Sequence, residues 1–338
     1  MMAPHTEQLN SKQILVMEMI KEAMGSWLVQ QLENPDVTEI MVNPDGLIWI
    51  DDHEQGLWCS DQHMAVSSRM LIINTLASLA DQQINEDDPS VAATLPYRGA
   101  RFHGIIPPAV EAPTFTLRMP SVIQYTLQDY VSSGQLEPKQ AALLYNSFSS
   151  RLNVLVVGGT GSGKTTFANA LLKVLEGPVL EKQRIMVIED TPELVVPHKN
   201  AFKVKVNRQT RFNYKRALVD ALRMSPDRII VGELRDGLAA LELLKAWNTG
   251  HNGGLATLHA NSAASALPRL EQLLQEELRQ PPRALIAQAI NVVVYVERYH
   301  DQGKPKRRIR EVLKLHEELG ANGAYQFDRI AHSSVGRA

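Results

Sequence analysis

The stretch GGTGSGKTT, residues 158–166, sets Gly158, Gly163, Lys164 and Thr165 at the spacing G-x-x-x-x-G-K-[ST]. Glycines so placed let backbone N–H groups fold around a phosphate. The helix opening behind them supplies positive potential, and the Lys164 ammonium adds a point charge at the terminal phosphates. The run Gly158, Gly159, Thr160, Gly161, Ser162, Gly163, Lys164, Thr165 and Thr166 is therefore expected to bind ATP, with the Thr165 hydroxyl on Mg²⁺. The competing reading is a Gly-rich turn with a solvated lysine. It explains neither the apolar run NVLVV before the motif nor the helical pattern TTFANALLKVL after it.

A phosphate cradle does not hydrolyse anything quickly unless water is oriented and transition-state charge is stabilised. VIED ends in Glu189 and Asp190, with Glu193 shortly after, and IIVGE ends in Glu233. In an open parallel sheet the carboxyl ends of the strands form the ligand crevice, so these acids are expected to converge near the phosphate loop. Gly232 stands where a Walker-B aspartate is usual. Glu233 is accordingly assigned part of the Mg²⁺ and water-orienting work, and Glu189 is its rival as general base. Glu193 reads best as a solvated loop carboxylate, and Asp190 lies between these cases. His259 closes GGLATLHA, which as a strand of the same sheet would bring the imidazole to the same edge. An imidazole there can hydrogen-bond a γ-phosphate oxygen or the attacking water, and so distinguish triphosphate from diphosphate. A lone histidine is more often a satisfied core or surface group; the strand-end position favours the functional reading.

The elements that must position these residues are visible in the pattern. From Asn153 onward NVLVVGG, RIMVIED, DRIIVGEL, GGLATLHA and INVVVYVE read as strands apolar on both faces. They alternate with the helical segments TTFANALLKVL, NYKRALVDALRM and GLAALELLKAWNTG, which predicts an α/β domain with a mainly parallel sheet. Before Pro120 the texture differs. Residues 13–33 and SSRMLIINTLASLADQQI have helical spacing, VTEIMVNPDGLIWID reads as two strands around Asn43–Gly46, and ARFHGIIPPAVEAPTFTLRMPS reads as a strand pair. The expected organisation is a smaller α+β domain over 1–120, a linker and lead-in helix over 121–150, and a P-loop domain over 151–338.

Composition bounds the partners. The 338 residues are 44% hydrophobic and carry a net charge of -2, which gives no general attraction to nucleic acid or anionic lipid. One cysteine, Cys59, excludes an internal disulfide framework and a four-thiolate zinc site, and fits a reducing cytoplasm. The first residues lack a signal-peptide pattern and no apolar run approaches a membrane span, so any membrane contact is expected to be peripheral.

GGTGSGKTT, VIEDTPEL, PDRIIVGELRD and AWNTGHNGGLATLHANSA stand in the order of the Walker A, Asp box, Walker B and His box of the secretion-superfamily traffic ATPases. The chain resembles that family over nearly its whole length, since NPDVTEIMVNPDGLIWID is similar to the start of its N-terminal domain. It resembles most the conjugative type IV secretion branch and its TrbB-type members. The resemblance implies a RecA-like P-loop domain, a homo-hexameric ring, and an N-terminal domain that closes over nucleotide. It also implies inner-membrane channel components as partners and a place at the cytoplasmic face of the inner membrane. Arginines from the N-terminal domain and linker are implied at the phosphates, and the matching positions are Arg101 and Arg118; otherwise these are surface arginines of a β-ribbon. The basic run with Lys304, Lys306, Arg307, Arg308 and Arg310 is read as a solvated turn leading into a terminal strand rather than a lipid contact.

A pilus or type II secretion motor is a close alternative. A nucleic-acid motor is a more distant one, disfavoured by the near-neutral charge and the lack of a basic aromatic groove. A small-molecule kinase would leave the preceding domain and three of the four motifs unexplained.

Overall fold

The computed structural model describes residues 10–332 other than 53, 121–123, 177–179, 181, 208–209 and 302–303. The chain divides into two compact units, Met1–Ile123 and Gln124–Ala338. The start of the chain, read above as lacking a signal peptide, and part of the segment expected as linker lie outside the described residues.

The first unit runs α1 (Ser11–Glu33), β1 (Val37–Val42), β2 (Leu47–Asp52), β3 (Gly56–His63), α2 (Val66–Leu79), β4 (Ser90–Thr94), β5 (Arg101–Ile105) and β6 (Thr114–Arg118). Asn10 and Gln13 cap α1 reciprocally, each side chain satisfying the other's backbone N–H. The strands form one antiparallel sheet in the order β3-β2-β1-β6-β5-β4. Ile40, Val42, Ile50, Phe102 and Leu117 from the strands and Ile20, Leu28, Leu32, Ile72 and Leu76 from the helices share one core. The buried Arg69 guanidinium donates to the carbonyls of Asn43, Pro44 and Pro113, tying the β1–β2 turn to the segment before β6. The sheet has two strands beyond the four expected. Both are edges: β3 exposes most of its polar second half and β4 is short, so neither carries the apolar alternation of a half-buried strand.

The second unit runs α3 (Leu127–Ser132), α4 (Pro138–Ser149), β7 (Val154–Gly158), α5 (Lys164–Leu172), β8 (Ile185–Glu189), β9 (Ala201–Lys205), α6 (Tyr214–Met224), β10 (Arg228–Leu234), α7 (Gly237–Asn248), β11 (Leu255–His259), α8 (Ala263–Gln275), α9 (Arg283–Ala289), β12 (Val292–Asp301), β13 (Lys304–Leu315) and β14 (Phe327–Ala331). Its eight-stranded sheet has the order β14-β13-β12-β7-β11-β10-β8-β9. Every neighbouring pair from β12 to β9 is parallel, and β12, β13 and β14 are antiparallel. Side chains of β7 and β8 are buried throughout, because helices cover both faces. On one face Tyr214, Leu243, Leu270 and Ile286 from α6 to α9 pack against Met186, Ile229 and Leu258. On the other, Leu127, Leu144, Phe148, Phe167 and Leu171 from α3, α4 and α5 pack against Val156, Val187 and Val294.

This topology brings the carboxyl ends of β7, β8, β10 and β11 to one edge. Three elements have weak sequence signals: β9 is a partly exposed edge strand, α8 carries Pro268 inside it, and β14 is an edge paired only to β13. The basic run over 304–310 needs correction. It is ordered strand, with Arg308 and Arg310 both on Glu297 and Lys306 on Asp301, because the antiparallel return of β13 lays these cations beside the acids of β12. Among the described residues no helix is long and apolar enough to cross a membrane.

Candidate active site

The phosphate loop joins β7 to α5. Gly161 and Gly163 have φ of +67° and +93°, which side-chain-bearing residues rarely adopt. Gly158 is required by space, since a Cβ there would stand 2.5 Å from Ser162 Oγ. The first turn of α5 has no side-chain cap, so its N–H groups face the loop as donors for an anion. Gly159 and Thr160 are exposed, Ser162 is buried, and Thr165 and Thr166 are half-buried at the start of the helix. Lys164 is 8% exposed, with its ammonium on the carbonyls of Gly158 and Gly159 at 3.0 and 2.9 Å.

His259 stands beside this lysine because β11 pairs in parallel with β7 and sets His259 opposite Gly158. Its Nδ1 lies 3.3 Å from Lys164 Nζ and its Nε2 lies 2.7 Å from Glu233 Oε1. An ammonium has no lone pair, so Nδ1 must accept, and the ring proton then sits on Nε2, on the side that faces Glu233. The other oxygen of Glu233 accepts from Arg235 Nε at 2.6 Å, and Arg235 Nη1 lies 3.8 Å from Asp190 Oδ2. Burial works against the Arg235 charge, but the hydrogen bond and the two carboxylates outweigh it and hold the guanidinium above its ordinary value. A continuous chain of polar side chains thus links the phosphate loop to the ends of β10 and β8.

Glu189 is 4% exposed. Its Oε1 accepts from the N–H groups of Glu193 and Leu194, both at 2.9 Å, while Oε2 is buried and has no hydrogen-bond partner among the described residues. Burial pushes this carboxyl above the usual carboxylate range, against the pull of those two N–H donors. The glycine at the Walker-B position now has a reason. A Cβ at Gly232 would lie 3.0 Å from Glu189 Cγ, so the Glu189 side chain fills the space an aspartate would need. The β10–β11 register shifts between Val231 and Leu234, and this irregularity turns Glu233 toward His259. Glu189, Glu233, His259 and Lys164 therefore all lie at one edge of the sheet.

Arg101 and Arg118 belong to the first unit, directly opposite each other on β5 and β6, with Glu39 on β1 opposite Arg118. Burial raises the Glu39 carboxyl despite the opposing charge of Arg118. Arg235 was not among the sequence candidates, although it stands two residues after Glu233, a spacing that returns a side chain to the same side of an extended segment. Thr165 and Glu233, together with the bare oxygen of Glu189, supply hard oxygen donors of the kind Mg²⁺ takes.

The profile of the family described as type II/IV secretion system protein matches residues 23–329. A probable conjugal transfer protein TrbB of Sinorhizobium fredii (strain NBRC 101917 / NGR234) is 40% identical over 323 residues, 95% of this chain and 95% of that one. A type IV secretion system protein VirB11 of Bartonella henselae (strain ATCC 49882 / DSM 28221 / CCUG 30454 / Houston 1) is 29% identical over 336 residues, 86% of this chain and 93% of that one. The crystal structure of the pilus retraction motor PilT with bound ADP shares the fold, with a TM-score of 0.63 at 18% identity over 93% of this chain and 84% of that one. With a family match over most of its length and a relative at 40% identity end to end, the chain belongs to the type II/IV secretion system protein family.

Proposed function

We propose that this chain is an ATPase that hydrolyses Mg-ATP at the carboxyl edge of the eight-stranded sheet and works as a homo-hexameric ring. Its task is to power assembly of, or transport through, a conjugative type IV secretion channel. The observation that carries the chemistry is the contact series Lys164, His259, Glu233, Arg235, which couples the phosphate-binding lysine to a carboxylate across two strands. The relatives named for conjugal transfer and type IV secretion support the task.

In this reading Lys164 leaves the carbonyls of Gly158 and Gly159 for the terminal phosphate, and the loop N–H groups from Gly159 to Thr166 hold the phosphate chain. Bound Mg²⁺ neutralises phosphate charge, and Thr165 and Glu233 are the residues that would hold it. Glu189, with a free buried oxygen, takes the proton of the attacking water, and Glu233 orients that water through His259. Once Lys164 turns to phosphate, His259 Nδ1 loses that donor and can accept from the attacking water instead. Arg101 and Arg118 add positive charge at the transferring phosphoryl group. The partners are other copies of this chain and inner-membrane channel components, reached from the cytoplasmic face by peripheral contact.

The test is phosphate release by the full chain against protein concentration, with particle mass measured alongside, for the parent and Lys164→Ala. Turnover that rises as a hexamer-sized particle forms, and falls by about 10²-fold or more in the variant, is expected. Full turnover in a monomer would contradict the ring, and normal turnover in Lys164→Ala would contradict the site.

A further inference from the structure

The hairpin of β12 and β13 carries six cationic residues between Arg298 and Arg310 apart from its histidine: Arg298, Lys304, Lys306, Arg307, Arg308 and Arg310. Arg308 and Arg310 pair with Glu297, and Lys306 pairs with Asp301. Arg298 and Arg307 lie differently. They are directly opposite each other in the β12–β13 register, on the same side of the hairpin as Val296 and Ile309, which pack into the core beneath α5. That is the side on which the phosphate loop enters α5. Arg307 Nε donates to the Gly161 carbonyl at 3.3 Å. A Cβ on Gly163 would stand 3.2 Å from Arg307 Cδ, and one on Gly161 would stand 3.2 Å from Arg298 Nη1. Both arginines thus lie directly against the two left-handed glycines of the loop.

Glu297 is one position away from Arg298 and faces the other side of the hairpin, where it serves Arg308 and Arg310. Guanidinium groups beside the loop are well suited to phosphate oxygens. The contact with the Gly161 carbonyl also fixes which way that peptide faces, and so where the loop N–H groups point.

We propose that Arg298 and Arg307 are a second cation pair of the nucleotide site, contributed by the same chain that carries the phosphate loop. Arg307 is a positioning residue that holds the Gly161–Gly163 arc, and Arg298 binds a phosphate oxygen at the outer side of the loop. The inference rests on the nucleotide reading above and deepens it, because these residues belong to none of the four sequence motifs.

The experiment is equilibrium binding of AMP, ADP and a non-hydrolysable ATP analogue, each with Mg²⁺, to the full chain. It compares the parent with Arg298→Ala, Arg298→Lys, Arg307→Ala, Lys306→Ala and Lys164→Ala. Arg298→Ala should weaken the ATP analogue about fivefold, ADP less and AMP least, with the loss shrinking as salt is raised and largely restored in Arg298→Lys. Arg307→Ala should weaken ADP and the ATP analogue by about tenfold. Lys306→Ala, already paired with Asp301, should bind as the parent does. Arg298 is exposed, so its variants test the proposal even where Arg307→Ala fails to fold. If both arginine variants bind all three nucleotides normally while Lys164→Ala does not, this inference is overturned and the phosphate-loop reading stands. If Lys164→Ala also binds normally, the nucleotide reading itself fails. A loss equal for AMP, ADP and the ATP analogue, and unchanged by salt, would overturn the phosphate role of Arg298.

Discussion

His251, four residues before β11, and His259, its last residue, lie at opposite edges of the sheet and do opposite things. At the amino end His251 Nδ1 lies 2.7 Å from the Pro226 carbonyl; a carbonyl only accepts, so the proton is on Nδ1. At the carboxyl end His259 Nδ1 faces the Lys164 ammonium and must accept, so the proton is on Nε2, toward Glu233. The same contrast extends across the sheet. At the amino end the fully buried Arg228 donates to the carbonyls of Phe148 and Gly253 and to Gln183 Oε1, and Asn153 Oδ1 accepts from Gly253 and Gly254. Burial, with help from the Arg151 charge, lowers the Arg228 guanidinium to about 10. Partners there are backbone groups or amides, which do not change charge. At the carboxyl end the partners are a lysine, an imidazole, two carboxylates and a guanidinium, each able to exchange its neighbour for a ligand. Buried polarity fastens strands together at one end and joins titratable side chains to one another at the other.

The largest expected effects fall at opposite ends and on different observables. Arg228→Ala removes the buried side-chain donor shared by the Phe148 and Gly253 carbonyls and Gln183 Oε1 and should lower unfolding stability by about 3 kcal/mol, while molecules that remain folded keep their turnover. Denaturant titration beside phosphate release checks it, and a stable variant with poor turnover would reverse the assignment of the two ends. Glu233→Gln should do the converse, reducing turnover by about 10²-fold with ATP still bound and stability little changed. Nucleotide retention in a rapid filtration assay separates this from lost binding.

A smaller effect is expected at Arg235, a positioning residue for Glu233. Arg235→Ala should lower kcat by about tenfold with KM little moved, and Arg235→Lys should recover part of it; a change confined to KM would count against positioning through Glu233. The smallest effect on stability is at Glu189. Its carboxyl is raised in the folded state, so ionisation costs stability: the cost is fully present above the folded pKa and vanishes below the unfolded value. Glu189→Gln keeps an oxygen for the Glu193 and Leu194 N–H groups and removes the buried charge. Its melting temperature should therefore exceed the parent's at pH 7.5, with the gap closing as pH falls. Because the base must be ionised, parent turnover should also fall on the acid side at a pH above the ordinary carboxylate range. A melting temperature lower than the parent's at pH 7.5 would contradict the burial argument.

The carboxyl edge was largely legible in the sequence because its signals are local. The glycine spacing of 158–166 declares the loop, and acids or a histidine at the ends of apolar runs are brought together by any parallel sheet. Gly232 looked like a missing aspartate, and only packing shows Glu189 in that space. Arg235, Arg298 and Arg307 were not legible as members of this edge, since the latter two arrive more than 130 residues after the loop, Arg298 on β12 and Arg307 on its antiparallel return β13. The amino end was opaque for a related reason: Arg228 and Asn153 act on backbone groups, which leave no mark on residue type. Edge strands β3, β4, β9 and β14 escaped notice because a half-exposed strand needs little apolar alternation.

The most direct measurement is ¹⁵N NMR of the histidine side chains in the full chain, at a pH where the imidazoles are neutral, with His251 and His259 assigned by substitution. The account predicts opposite tautomers, with the proton on Nδ1 of His251 and on Nε2 of His259. It also predicts that Mg²⁺ with a non-hydrolysable ATP analogue shifts the His259 resonances while leaving those of His251 in place. The same tautomer at both positions, or a His259 signal indifferent to nucleotide, would contradict it.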